Sequence, residues 1–213
     1  AWRYHSSFVT RWPISSLVGL PISRSNTCLP SVVWIGSFDI SLLSPATSSI
    51  EPPVDPAGLA PMIAPARTAL VIIDVQEDFV SPNGAPGRWG VDLSVIDKRI
   101  GNVERLIAAA RANGVTPVYA RVITRAETDS DALKALHARK GRPPQALAIC
   151  RAGTSGADYY RIRPAPGDIE IEKTLYSSFV GTDLDRQLGE RGIDTLVIVG
   201  FTTDCCMDST ALD

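Results

Sequence analysis

The chain has 213 residues, 45% of them hydrophobic and 21% charged, with a formal net charge of −2. That is the profile of a globular protein of about one domain, not of a disordered or fibrous chain. A sequence pI of about 5.7 leaves no basic face for nucleic acid or a membrane surface.

Four cysteines, at 28, 150, 205 and 206, are too few for a disulfide scaffold and contain no C-x-x-C pair. Only His5 and His137 could add imidazole ligands, so neither a metal nor another cofactor is expected. No run reaches the roughly 18 apolar residues that a transmembrane helix needs.

Residues 1–66 differ from the rest. The first fifty hold twelve serines and one acidic residue, Asp39, and residues 51–66 carry five prolines. Apart from the short apolar run Val32–Ile35, no periodicity is visible. This part reads as a low-order leader ending in a stiff linker. The localisation expected is cytoplasmic. Organelle import is the alternative, because an Arg-containing, Ser-rich, acid-poor leader resembles a transit peptide. A further alternative is that the stretch is not native protein but translated upstream sequence, and a start at Ala rather than Met favours a fragment.

Residues 67–213 read as an α/β domain. Thr68–Ile73 is a continuous apolar run suited to a strand buried on both faces. Asp92 to Asn113 follows as a helix, with Ile96, Ile100, Val103, Ile107 and Ala110 on one stripe and Gly114 as its stop. Val115–Val122 is a second strand, and residues 129–140 a short surface helix. Asp168–Lys173 is an alternating third strand. Thr182 to Arg191 is a helix, Thr195–Val199 a fourth strand, and Asp204 opens a last helix. Strands alternating with helices predict a parallel sheet with helices on both faces.

In such sheets ligands bind at the carboxyl ends of the strands. Three strand ends carry polar groups here: Asp74, Lys173, and Gly200 followed by Phe-Thr-Thr-Asp-Cys-Cys. Each alone has an ordinary explanation as a turn residue, a solvated charge or packing. Together a carboxylate, an ammonium and a thiol form a nucleophile set. Cys206 is favoured over Cys205, since helix N–H dipoles and Lys173 would both favour its thiolate. Asp74 would then accept the thiol proton and return it to a leaving amine.

The segments ALVIIDVQEDF, GDIEIEKTLYSSFVGTDLDRQLGERGIDTLVIVG and GFTTDCCMDSTALD together resemble the isochorismatase-like cysteine hydrolases. The resemblance covers about residues 67–213. It implies a three-layer α/β/α sandwich with a mainly parallel, Rossmann-like sheet. It places the catalytic triad on Asp74, Lys173 and Cys206. It also implies a cis peptide at Phe201–Thr202 that aims an N–H at the oxyanion.

The activity implied is hydrolysis of a C–N bond in a small amide, ureide or N-carbamoyl substrate through a thioester. The stretch GTSGADYYRIRPAPGD points toward the ureide branches. An isochorismatase-type ether hydrolase and a non-catalytic member are the alternatives. A thiol sensor using Cys205 and Cys206 ranks behind them. Since the family continues beyond its nucleophile helix, the chain reads as truncated at its C-terminus. A homo-oligomer is expected from the resemblance alone.

Candidate pocket residues are Gln76, Phe79, Trp89, Arg121, Tyr176 and Phe179. The first could instead orient Asp74, Trp89 could cover the core, and Arg121 could be a surface ion pair.

Overall fold

A computed structural model describes residues 63–88, 90, 92–143 and 148–213, together with the backbone of 31–34. Five parallel strands form one sheet: β1 (Ser31–Trp34), β2 (Thr68–Ile73), β3 (Thr116–Val122), β4 (Ile169–Lys173) and β5 (Thr195–Gly200). Their order across the sheet is β1-β5-β2-β3-β4. The helices are α1 (Glu77–Val80), α2 (Ala85–Arg88), α3 (Ser94–Ala112), α4 (Asp131–Arg139), α5 (Leu184–Glu190) and α6 (Asp208–Leu212).

The sheet separates two apolar layers. Leu70 and Ile72 of β2 join Tyr119, Val197 and Val199 against the α3 stripe Ile96, Ile100, Val103, Ile107 and Ala110. Ala69, Val71 and Ile73 point the other way, onto Leu184 and Leu188 of α5 and onto Cys206 and Met207. Successive strand side chains face opposite sides. A strand covered on both sides therefore favours apolar side chains at almost every position, which is why β2 runs Ala-Leu-Val-Ile-Ile after its opening Thr68. β4 lies at the sheet edge. It keeps Ile169, Ile171 and Lys173 buried and leaves Glu170 and Glu172 exposed.

The three-layer α/β/α architecture expected from the sequence is present. Three details differ. First, β1 falls within the stretch read as a low-order leader and pairs with β5, Val33 opposite Val197. Its short apolar run supplies the fifth strand, whereas the rest of residues 1–62 lies outside the described residues.

Second, α3 begins at Ser94, because the Asp92 carboxylate accepts the Ser94 N–H at 2.9 Å and so stays outside the helix. Third, the last helix starts as a wide turn, Thr203–Met207, in which the Met207 N–H donates to the Thr202 carbonyl. Only from Asp208 does regular α-helix follow. The short helices α1 and α2 carry too few residues to show a periodicity. Among the described residues no helix is long and apolar enough to cross a membrane.

Candidate active site

The carboxyl ends of β5, β2, β3 and β4 are laced by backbone bonds that continue the sheet. Phe201 N–H donates to Ile73 O, Asp74 N–H to Ala120 O, and Ile123 N–H to Lys173 O, each at 2.9 Å. Gly200 allows the closest approach. Its φ is +135°, and a Cβ there would lie 2.0 Å from the Ile73 carbonyl oxygen. Directly after β2, Asp74 takes a φ of +53°. Asp tolerates this left-handed region better than most residues do.

These junctions bring three side chains together. Lys173 Nζ lies 3.0 Å from Asp74 Oδ2, and both side chains are almost fully buried, at 0% and 1% exposure. The ammonium also donates to the Leu175 carbonyl at 3.2 Å. Cys206 is buried and hydrogen-bonded to both Asp74 and Lys173. Cys205, its neighbour, is only half-buried and hydrogen-bonds Thr202 instead. The Phe201–Thr202 peptide preceding this turn is cis.

Burial pushes the Asp74 carboxyl up, and the Lys173 charge with hydrogen bonds from Cys206 and Lys173 pulls against it. Burial also pushes the Cys206 thiol well above the ordinary cysteine range, and the neighbouring Asp74 charge adds to that. The pull toward the thiolate expected from helix dipoles and Lys173 is therefore opposed by burial. Desolvation of the thiol outweighs the pull of Lys173, so burial favours the neutral form of Cys206. The buried Asp74 carboxylate is a stronger base than a solvated one and stands next to the proton it would take.

The remaining candidates spread out. Gln76 is fully buried. Its Nε2 donates to the carbonyls of Val122 at 2.8 Å and Ala157 at 2.9 Å, and its Oε1 accepts the Val122 N–H at 2.8 Å. It ties the Asp74 strand end to β3 and to the 157 loop rather than lining a cavity. Phe79 packs partly buried against two apolar clusters. Phe179 does the same against the layer holding Cys206.

Tyr176 is 60% exposed and stands within electrostatic reach of Cys205 and Cys206. Trp89 lies outside the described residues. Arg121 pairs with Glu170 at 3.0 Å and Glu172 at 2.8 Å and lies over the Tyr159 ring. It belongs to a separate surface cavity of about 410 Å³, which none of Asp74, Lys173 and Cys206 lines. The cause is strand alternation: Arg121 points to the Tyr119 side of β3, whereas Lys173 shares the side of Ile169 and Ile171.

Sequence reasoning gave no role to two buried hydroxyl residues beside the cluster, Ser178 and Thr210. The usable signal was the spacing of Thr210 one helical turn beyond Cys206. The buried Asp78 carboxylate accepts the Cys150 N–H at 2.7 Å, and a Cβ on Gly156 would strike it at 2.2 Å. It holds the 150–157 loop against α1.

Comparison with known proteins identifies the family. The isochorismatase domain model matches residues 68–213. The ureidoacrylate amidohydrolase RutB of Methylobacterium radiotolerans is 35% identical over 161 residues, 70% of this chain and 62% of that protein. Thus the chain spans less than two thirds of that relative's length.

A cysteine hydrolase from Pseudomonas syringae pv. phaseolicola superposes with a TM-score of 0.59 at 29% identity, over 70% of this chain and 65% of the other. The N-carbamoylsarcosine amidase of Thermoplasma acidophilum gives 0.53 at 30% identity, over 69% and 75%. With a parallel sheet of this order and a family match over most of its length, the chain belongs to the isochorismatase family.

Proposed function

We propose that the protein is a cysteine amidohydrolase that cleaves a C–N bond of a small amide, ureide or N-carbamoyl compound through a thioester. The observation that carries this reading is the buried Asp74–Lys173–Cys206 cluster at the carboxyl edge of the sheet. Similarity to a ureidoacrylate amidohydrolase and an N-carbamoylsarcosine amidase supports the substrate class.

Asp74 takes the Cys206 proton as Sγ attacks the substrate carbonyl carbon. Lys173 keeps the carboxylate in place and offsets the charge that develops on sulfur. Backbone N–H groups of the Thr202–Cys206 turn stabilise the oxyanion. Collapse of the tetrahedral intermediate breaks the C–N bond, and the leaving nitrogen departs with the proton from Asp74. Water then gives a proton back to Asp74 and adds to the thioester. Its breakdown releases the acid and restores the thiol. Because burial favours the neutral thiol, proton transfer and attack belong to one step, which suits a buried pair.

The test is a panel of primary amides, ureido acids and N-carbamoyl amino acids, with isochorismate as the vinyl-ether comparison. Cys206→Ala should fold and release no ammonia from any of them. Turnover by the folded Cys206→Ala protein at the parent rate, or selective cleavage of the ether, refutes the proposal.

A further inference from the structure

The nucleophile and the lysine come from different segments, and one hydroxyl joins them. Thr210 is fully buried on α6, one turn beyond Cys206. Its Oγ1 donates to the Cys206 carbonyl at 2.6 Å. The same oxygen accepts the Ser178 N–H at 3.0 Å and lies 3.2 Å from Ser178 Oγ. Ser178, also fully buried, is five residues after Lys173, in the segment whose Leu175 carbonyl receives the lysine ammonium. The Ser178 carbonyl is held in turn by Thr182 Oγ1 at 2.6 Å.

We propose that Thr210 is a positioning residue for the reaction: its hydroxyl clamps the Cys206 turn to the segment that carries Lys173. The inference rests on the cysteine amidohydrolase reading and adds a residue to it. Thr210 touches none of the reacting atoms. It acts through the Cys206 backbone, on the one residue whose Sγ must meet a carbonyl carbon.

The wide turn at Thr203–Met207 gives such a clamp something to hold. Regular helix gives each carbonyl a fixed partner four residues on, whereas a turn with a five-residue reach loosens that register. A displacement of about 1 Å at a reacting atom costs on the order of 100-fold in rate. A hydroxyl bound on both sides in a buried setting resists such a displacement.

The test pairs two substitutions. Thr210→Val keeps the shape and removes the hydroxyl. Thr210→Ser keeps the hydroxyl and removes a methyl group. The expected result for Thr210→Val is a kcat reduced at least about tenfold, with KM within about twofold of the parent. It should also alkylate Cys206 with iodoacetamide more slowly, and amide exchange around Ser178 should speed up. Thr210→Ser should stay within about threefold of the parent in all of these.

Equal kcat for parent and Thr210→Val overturns the clamp, as does a rise in KM alone. So does a Thr210→Ser protein as impaired as Thr210→Val, which would show that packing by the methyl group matters instead. If Thr210→Val does not fold, Thr210→Ser decides alone by the same limit. If the parent turns over no substrate in the panel, the amidohydrolase reading fails. The clamp is then judged by Ser178 exchange and Cys206 alkylation, where unchanged values in Thr210→Val refute it.

Discussion

Replacing Lys173 by Met should cost the fold about 3–5 kcal/mol near neutral pH, the usual cost of removing one partner from a buried ion pair. Methionine is close in shape and fills an apolar site well, so little packing is lost. What is lost is the charge 3.0 Å from Asp74 Oδ2, while the Asp74 side chain stays 1% exposed. Asp74 Oδ1 already lacks a conventional hydrogen-bond partner, and only the neutral Cys206 thiol and the Val122 backbone are left to offset the charge. Against a total stability of about 5–15 kcal/mol this is a large fraction. With a urea slope of about 2 kcal/mol per molar, the midpoint should fall by about 2 M.

The loss must depend on pH, because Asp74 can escape its cost by binding a proton. Burial already raises its pKa, and Lys173 is the largest opposing influence. Without Lys173 the folded-state pKa rises further above the unfolded value of about 3.9. Between those two values the folded state holds the extra proton, so stability falls as pH rises. The Lys173→Met deficit should therefore be small near pH 4 and grow toward neutrality.

Asp74→Asn combined with Lys173→Met removes both charges and should recover most of the deficit. Urea unfolding of the parent, both single variants and the double variant at two pH values measures this directly. A deficit equal at both pH values, or a double variant that loses the sum of the singles, refutes the reasoning.

Three further outcomes follow from the same geometry. Gly200→Ala should destabilise by about 3 kcal/mol or more in urea unfolding, since its Cβ meets the Ile73 oxygen at 2.0 Å and its φ is +135°. Gln76→Leu strips partners from the Val122 N–H and from the carbonyls of Val122 and Ala157, and should cost at least about 3 kcal/mol in the same measurement. The rate of Cys206 alkylation by iodoacetamide should keep rising with pH beyond the ordinary cysteine pKa of about 8.5, because burial and Asp74 both disfavour the thiolate. A plateau below pH 7 would show a resting thiolate and contradict the neutral-thiol site.

Much of the molecule is legible in the chain. The unbroken run Thr68–Ile73 and the α3 stripe from Ile96 to Ala110 specify a doubly covered strand and the helix that covers one side of it. Local periodicity carries that information because each element must bury its own apolar face. Asp74, Lys173 and Gly200 are legible as polar or glycine punctuation at strand ends, where parallel sheets place ligands. Elements without a periodicity, such as α1 and α2, are not.

Other features depend on groups far apart in sequence. Arg121 reads as a candidate pocket residue, yet its partners are Glu170 and Glu172, about fifty residues on, and they become neighbours only through the pairing of β3 with β4. The protonation state of Cys206 turned on the same kind of fact. A helix start and a nearby lysine suggest a thiolate, but the depth of burial and the spacing to Asp74 are tertiary quantities, and they tip the balance to the thiol. The sequence by itself therefore determined the layers, the strand ends and the residue types that meet there. Only the tertiary structure decided how deeply those residues are buried and how they are joined, because desolvation and hydrogen bonding depend on what the fold packs around each group.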